Sequence, residues 1–193
     1  MLALAAGGAG AQSRDGSAVS PVRTSGLDNQ LYVGFEHVRL DYGLVNPDGT
    51  TTQLSMKGVN LQYGYRHKDH LFALGNVRYG AGNPLGVRNI AAGVGVGYVV
   101  DWKRYEPFIQ GTVGYSRLTS SSPDGIYLST APLYGFTTTV GGGLDVTLTD
   151  RFGVRPIYIE NQFLPWGSRR TVDWSVSSGL LYRFHAIRRG RNH

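Results

Sequence analysis

Apolar and polar residues alternate along most of the chain, and residues 171–184 show this pattern most clearly. One parity of this segment carries Val172, Trp174, Val176, Leu180, Tyr182 and Phe184, and the other carries Thr171, Asp173, Ser175, Ser177, Gly179 and Arg183. Strict alternation predicts a β-strand between an apolar and a wet environment. Aromatic residues lie toward both ends of the apolar parity, which is typical of a strand that meets lipid between two interfacial rings.

Similar alternation elsewhere predicts seven further strands. The eight predicted strands cover residues 30–42, 54–66, 71–79, 89–100, 105–117, 133–148, 153–163 and 171–184. The first strand changes parity near Glu36 and His37, which predicts a β-bulge there. The seventh strand leaves its facing open, because Pro156 cannot donate to a ladder and both parities mix polar with apolar residues. Eight is the smallest even strand number of single-chain bacterial membrane barrels.

The connections between these strands alternate in length. Those at residues 67–70, 101–104 and 149–152 are short, and those at 43–53, 80–88, 118–132 and 164–169 are longer. Aromatic residues gather at both ends of the strands: Tyr65, Tyr98, Tyr105 and Phe184 at the short-turn end, and Tyr79, Tyr115, Tyr134 and Trp174 at the long-loop end. Short turns on one side and long loops on the other predict an outer-membrane barrel with both termini in the periplasm.

The end of the last strand carries a compact motif. Ser177, Gly179, Tyr182 and Phe184 follow a polar, x, Gly, x, x, hydrophobic, x, hydrophobic order. This order resembles the signal by which the barrel assembly machinery recognises bacterial outer-membrane barrels. A basic tail, residues 185–193, follows the motif here, whereas such barrels commonly end on the aromatic residue.

Strand number, loop asymmetry and closing motif together resemble the small eight-stranded outer-membrane barrels of the OmpA and OmpX type. The resemblance implies an all-β, eight-stranded antiparallel up-and-down transmembrane barrel in the bacterial outer membrane. Outer-membrane lipids and the barrel assembly machinery would then be its partners, and the family carries no catalytic signature. A soluble lipocalin-like barrel is the alternative, but such a barrel keeps its apolar residues inside and surrounds itself with charge.

The N-terminal residues favour export of the protein across the inner membrane. Residues 1–11 are small and apolar, and Ala9-Gly10-Ala11 before Gln12 fits a signal-peptidase site, so we expect a signal-peptide remnant. A disordered Ala/Gly leader is the alternative. Residues 12–28 are rich in Ser, Gly, Arg and Pro and predict an unstructured lead-in, which leaves residues 29–184 for the barrel. With 193 residues the chain is one domain by length, and none of its apolar runs reaches the roughly 18 residues of a transmembrane helix.

If the apolar parity faces lipid, the polar parity must fill the interior, because eight strands leave a lumen just wide enough for side chains. The expected interior network comprises Glu36, Gln62, Arg78, Gln110, Asp145, Asp173 and Arg183, with Glu160 as a further candidate. Charges in such a place must be paired. We expect five glycines to make room for long Arg and Tyr side chains from across the lumen: Gly93, Gly95, Gly97, Gly141 and Gly143.

Other chemical constellations are weak. The glycine spacing at Gly93-x-Gly95-x-Gly97 does not fit a dinucleotide-binding loop. His67 and His70 lie in a polar turn without a third metal ligand nearby, and the absence of cysteine excludes thiolate sites. No serine lies beside a histidine in the sequence, so we predict no catalytic residue, no cofactor and no metal site.

The net charge of +6 is concentrated near the C-terminus, in the basic tail and at Arg169 and Arg170. Nucleic-acid binding would require basic residues interleaved with aromatic residues over a whole face, and we therefore predict no nucleic-acid partner. The sequence favours a non-enzymatic outer-membrane barrel with a side-chain-filled lumen, which contributes to envelope integrity or to surface contacts through its outer loops. The alternatives are a channel for small solutes or ions and a lipid-modifying barrel enzyme.

Overall fold

Eight antiparallel strands close into a barrel in a computed structural model of the chain, which describes residues 29–45, 51–67, 70–82, 86–119, 132–166 and 169–184. The strands are β1 (Asn29–Val45), β2 (Thr51–Arg66), β3 (Leu71–Gly82), β4 (Val87–Val99), β5 (Tyr105–Thr119), β6 (Leu133–Thr147), β7 (Phe152–Trp166) and β8 (Arg169–Phe184). Each strand pairs with its neighbours in sequence, and β1 pairs with β8 to close the barrel. The predicted fold class is therefore confirmed.

Three predicted segments, residues 1–11, 12–28 and 185–193, lie outside the described residues. Within the described ranges, none of the secondary structure is a helix of the length and apolarity that crossing a membrane requires.

The outer wall of the barrel is apolar. Exposed large side chains cover it on every strand, and they include Phe35, Leu61, Val77, Val96, Ile109, Val140, Ile159 and Leu180. On β4 the outward apolar positions run over residues 90–98, and on β5 they run over residues 105–115 with one glycine among them. These stretches match the roughly 9–11 residues with which a tilted strand crosses hydrocarbon. We call this surface the apolar belt.

Aromatic side chains border the belt at both ends, and several of them touch. Tyr115 stacks on Tyr134 at the long-loop end, with 6.2 Å between the ring centroids. Tyr182 stacks on Phe184 at the short-turn end, with 5.9 Å between the centroids. Amphipathic rings at these levels suit a boundary between apolar and polar surroundings.

The predicted bulge near Glu36 and His37 is wrong. β1 pairs without interruption with β2 from Asn29 to Asp41 and with β8 from Asn29 to Arg39. The change of pattern arises because β1 rises above the apolar belt: His37 and Arg39 face outward and are exposed, whereas Val38 faces inward and is buried. The parity of the backbone therefore stays constant while its surroundings change.

The bulge lies instead in β7, at the proline that left this strand's facing open. Between Arg155 and Tyr158, β7 contains one more residue than either neighbouring strand, so the register shifts on both sides. Pro156 and Ile157 both face outward, and Arg155 and Tyr158 both face inward. A bulge tolerates the missing N–H of proline and re-aims the side chains on either side of it.

Close backbone contact marks the seam between β1 and β8. Gly34 and Gly179 are directly paired there. A Cβ atom at Gly179 would lie 2.1 Å from the carbonyl oxygen of Val33 and 2.4 Å from the Cα of Gly34. The glycine of the closing motif is thus required by the approach of the two strands that complete the barrel.

Deletion of Pro156 tests the bulge. Removing one of two consecutive outward residues restores simple alternation, so we expect Arg155 and Tyr158 to stay inside and the barrel to fold with little loss of stability. Deletion of Ile159 reverses the facing of residues on one side of it and turns Arg155 or Glu160 outward. We expect that variant to lose about 3 kcal/mol or more of its unfolding free energy, or not to fold. Urea titration in detergent measures both, and equal losses would contradict the bulge.

Candidate functional site

The interior of the barrel is built around two buried arginines. Arg78 on β3 makes a bidentate contact with the carboxylate of Glu36 on β1, in which its Nε lies 3.1 Å from Oε2. Its Nη1 donates to Oε1 of Glu160 on β7. Its Nη2 also donates to the hydroxyl of Ser175 on β8 at 3.0 Å. One guanidinium thus binds groups from three other strands, which uses its fixed fork of donors.

Arg155 on β7 organises a second cluster nearer the short-turn end. Its Nε and Nη2 donate to the two carboxylate oxygens of Asp145 at 2.7 and 3.1 Å, and its Nη1 donates to Oε1 of Gln62 at 2.7 Å. The guanidinium carbon lies 4.1 Å from the ring centroid of Phe108 and 4.4 Å from that of Tyr32. Planar stacking and bidentate pairing together compensate for the burial of this charge.

A continuous chain of hydrogen bonds joins the two arginine clusters. Gln62 donates through Nε2 to Oε1 of Gln110 at 3.1 Å, and Gln110 donates through Nε2 to the hydroxyl of Tyr158 at 2.8 Å. Tyr158 in turn donates to Oε2 of Glu160, whose other oxygen accepts from Arg78. The network therefore crosses the lumen from β6 to β1 and fills it with paired polar groups.

The short-turn rim holds a third charged group. Arg183 on β8 donates to Glu106 at 2.8 Å and to the hydroxyl of Thr147 at 2.7 Å. Arg66 on β2 donates to the same Glu106 oxygen at 3.2 Å and lies 3.5 Å from Asp101. These side chains are partly exposed, so this rim is less desolvated than the clusters around Arg78 and Arg155.

Apolar side chains also enter the lumen, which corrects the expectation of a wholly polar interior. A buried cluster of Phe72, Leu74, Val99, Phe108 and Tyr158 lies toward the short-turn end. Val38, Met56, Val87 and Leu118 are buried at the long-loop end. The hydrogen-bond network is therefore enclosed between two apolar regions of the inner wall, which shield it from water.

Of the five nominated glycines, Gly97, Gly141 and Gly143 make room for rings from neighbouring strands and not for arginines from across the lumen, whereas a Cβ atom at Gly93 or Gly95 would meet a backbone carbonyl oxygen of the neighbouring strand. A Cβ atom at Gly97 would lie 2.2 Å from the ring of Phe72, its partner on β3. At Gly143 a Cβ atom would meet the ring of Phe108 at 2.9 Å, and Phe108 is its partner on β5. Phe108 stacks on the guanidinium of Arg155, and Phe72 packs edge-on against Phe108, so these glycines act on the network through the aromatic residues.

The structure places six of the seven nominated network residues, and Glu160, in the buried interior: Glu36, Gln62, Arg78, Gln110, Asp145 and Asp173. Asp173 is fully buried and pairs across the strands with Gln162. Arg183 differs, because it belongs to the rim.

Sequence reasoning missed Arg155, Tyr158, Tyr32, Glu106 and Arg66. Arg155 and Tyr158 were hidden by the bulge, because simple alternation cannot place both of them inside. A bulge assumed at Pro156 would have found both residues. Glu106 and Arg66 already share the inward parity of their strands, which was the available signal for them.

A serine and a histidine that the sequence does not suggest as partners are in contact in the structure. The hydroxyl of Ser55 lies 3.3 Å from Nε2 of His37, on the exposed outer wall just above the apolar belt. These residues are far apart in sequence but lie on paired strands, where His37 is opposite Lys57 and Arg39 is opposite Ser55.

The histidines of the first short turn remain exposed. Nδ1 of His70 donates to the carbonyl of Val99 at 3.1 Å, and its ring stacks on Tyr98. Within the residues that the structure describes, no three His, Asp or Glu side chains form a group able to hold a metal ion.

Comparison with known proteins finds similar structures but no similar sequence. Neither a protein-family model nor a curated protein sequence matches the chain. Neisserial surface protein A superposes with a TM-score of 0.63 at 11% identity, covering 81% of this chain and 97% of that one. The outer membrane protein OprG of Pseudomonas aeruginosa gives 0.52 at 15% identity, covering 83% and 97%. Ail, the attachment invasion locus protein of Yersinia pestis, gives 0.52 at 14% identity, covering 80% and 98%.

The chain has the fold of the small eight-stranded outer-membrane barrels. At these identities the similarity concerns the fold, and the interior network must be interpreted from its own geometry.

Replacement of Arg78 by methionine tests the first cluster. The variant leaves Glu36 and Glu160 buried beside each other without their shared cation, so we expect a loss of about 3–5 kcal/mol in unfolding free energy. The matched control is Arg151→Met at an exposed turn position, for which we expect a change below about 0.5 kcal/mol. Urea titration in detergent compares the two. A similar small change in both variants would contradict a structural role for the Arg78 cluster.

Replacement of Arg155 by lysine tests whether planar geometry matters at the second cluster. Lysine keeps the charge but loses the bidentate contact with Asp145 and the stacking on Phe108 and Tyr32, so we expect a loss of about 2–4 kcal/mol. The exposed Arg104→Lys substitution serves as the control. Wild-type stability of the Arg155→Lys variant would show that a point charge is sufficient.

Proposed function

We propose that this protein is a non-enzymatic outer-membrane barrel that contributes to envelope integrity or to contacts at the cell surface. The observation that carries the proposal is the inverted distribution of polarity, with an apolar belt outside and ion pairs such as Arg78 with Glu36 inside. A continuous exposed apolar surface of this extent would drive association in water. Hydrocarbon around the barrel removes that penalty, and closure leaves no unpaired strand edge in lipid.

The orientation follows from the connections. Those between β2 and β3, β4 and β5, and β6 and β7 each span only a few residues. Bacterial barrels place such short turns in the periplasm and their longer loops outside the cell. We therefore propose that Asn29 and Phe184, which are paired with each other at the short-turn end, lie on the periplasmic side.

Long strands at the other end support a role in surface contact. Among the side chains of β1 that the structure describes, the outward apolar positions end at Phe35, yet the strand continues to Val45. This extension would raise the loop-bearing end above the membrane surface. Ail, an attachment invasion locus protein, shares the fold, which supports surface contact as a use of such a barrel.

The filled lumen argues for a structural barrel over a channel. Conduction requires a path along which ions are bound weakly and released. Here Arg78 and Arg155 are each held by several partners, and buried apolar side chains lie at both ends of the network. We also propose that Ser177, Gly179, Tyr182 and Phe184 present the recognition motif to the barrel assembly machinery.

A second candidate function, lipid hydrolysis, is favoured by the contact between Ser55 and His37. A serine nucleophile needs a base, and the base needs an orienting group. Among the described residues, no carboxylate is in hydrogen-bond contact with His37. The pair lacks this third component, and we rank the non-enzymatic role first.

Fractionation tests the proposed location. We expect the full chain to fractionate with the outer membrane and to migrate faster in detergent gels before heating than after it. Recovery in the soluble fraction, or migration that heating does not change, would contradict the proposal.

Planar-bilayer recordings and a lipid-turnover assay test the proposed role. We expect neither reproducible single-channel steps nor turnover of lipid A or phospholipid. Turnover that is lost on Ser55→Ala and on His37→Gln, but kept on the control Ser116→Ala, would establish the enzyme instead. Reproducible channel steps would refute the filled lumen.

A further inference from the structure

The seam between β1 and β8 differs from every other strand pair in the barrel. The other pairs are formed by strands that follow each other in the sequence, whereas the seam joins the first strand to the last. Pairing two strands that are so far apart in sequence has the largest loop-closure entropy cost in the barrel. At the seam, side-chain contacts therefore have to supply what a connecting turn supplies elsewhere.

A pair of inward glycines weakens the middle of this seam. Gly34 on β1 is opposite Gly179 on β8, so the inner face has no cross-strand pair of side chains at this level. Glycine in the interior of a strand also loses more conformational entropy on folding than other residues do. The close approach of the two backbones requires the glycines, and the space above them has to be filled by another side chain.

The ring of Tyr32 fills this space. A Cβ atom at Gly34 would lie 2.0 Å from the hydroxyl oxygen of Tyr32 and 2.3 Å from its Cζ, so the ring extends along the inner face of the seam over Gly34. Its hydroxyl donates to Oγ of Ser177 on β8 at 3.0 Å, and both side chains are buried. A side chain of the first strand is thereby bonded to the last strand. We call Tyr32, Gly34, Ser177 and Gly179 the seam clasp.

The guanidinium of Arg155 covers the clasp from the lumen. Arg155 on β7 is opposite Gly179, and its guanidinium carbon lies 4.4 Å from the ring centroid of Tyr32. The bidentate contact with Asp145 fixes the position of this guanidinium. The ring of Tyr32 is thus enclosed between the backbone of the seam and a paired cation, which restricts its hydroxyl to the direction of Ser177.

We propose that the two faces of the closing motif have separate roles. Ser177 and Gly179 face the lumen and hold β8 against β1 through Tyr32. Tyr182 and Phe184 lie on the outward parity and stack on each other, and recognition by the assembly machinery is their role. Only this recognition half rests on the proposed function, because the geometry of the clasp does not depend on where the protein resides.

Hydrogen exchange of the folded full chain in detergent tests the clasp. Tyr32→Phe keeps the ring and its stacking on Arg155 but removes the donor, and Ser177→Ala removes the acceptor. We expect each variant to speed amide exchange in residues 29–39 and 174–184 about fivefold, which corresponds to one hydrogen bond. The double variant Tyr32→Phe/Ser177→Ala should open the seam no more than the more severe single variant does, because both changes remove the same bond.

The matched control is Thr112→Val, which removes a buried bond of 2.7 Å between the hydroxyls of Thr112 and Thr139 on β5 and β6. We expect this variant to speed exchange in β5 and β6 and to leave the seam as in the wild type. Three results would overturn the clasp: wild-type exchange at the seam in Tyr32→Phe, an equal increase there in the control, or additive effects in the double variant.

Folding into lipid vesicles, with and without the purified assembly machinery, separates the two faces of the motif. Heat-modifiable migration measures the folded fraction. We expect Tyr32→Phe and Ser177→Ala to lower it by the same factor in both kinds of vesicle, because closure is a property of the chain itself. Phe184→Ala should lose most of the acceleration by the machinery, while its unassisted folding changes by less than about twofold, as for other partly exposed positions.

A loss confined to assisted folding in Tyr32→Phe or Ser177→Ala would show that the inward face is also recognised, and it would overturn the division of roles. Full acceleration of Phe184→Ala would refute recognition through the outward face. Wild-type chain that the machinery does not accelerate would contradict the proposed function, whereas the exchange measurement in detergent would still decide on the clasp. The two failures are thereby distinguished.

Discussion

The narrow lumen of an eight-stranded barrel is the constraint on which the rest of this structure depends. Such a lumen admits side chains but little water, so a polar group that points inward must find its partner inside. Arg78 and Arg155 meet this demand by binding groups from several strands at once. Cross-lumen pairing thereby ties together strands that are not neighbours in the sheet, and the backbone ladder alone does not do this.

Aromatic rings pack against the buried guanidinium of Arg155, and a glycine leaves the space that one of these rings occupies. Phe108 stacks on Tyr158 with 5.7 Å between ring centroids, and both rings face the guanidinium of Arg155. Gly143 leaves the space that Phe108 occupies. The bulge at Pro156 completes the arrangement, because it turns Arg155 and Tyr158 to the same side of the wall. A backbone irregularity, a missing side chain and two rings therefore all serve one buried charge.

The inner and outer walls of the barrel have different proposed roles. Paired charges and apolar side chains from the inner wall fill the lumen, which favours a rigid barrel over a conducting channel. The outer wall changes from apolar to cationic along some strands, as Ile90 gives way to Arg88 on β4.

The sequence by itself determined the strands, their number and most of their facing. Alternation of period two is local, so Val59 to Tyr65 on β2 or Ile90 to Tyr98 on β4 could be assigned an outward side from a single segment. The same parity nominated Arg78, Glu36 and Asp145 for the interior. Assignment from parity failed where the outer wall changed from apolar to polar along one strand, as at His37. It also failed where one extra residue shifted the alternation, as at Pro156.

Only the tertiary structure decided which polar groups meet. Arg155 reaches Gln62 across the lumen, and Ser55 reaches His37 between neighbouring strands, because strand register and barrel closure bring distant residues together. Periodicity tells which side of a wall a residue occupies, whereas closure of the barrel determines what it faces there.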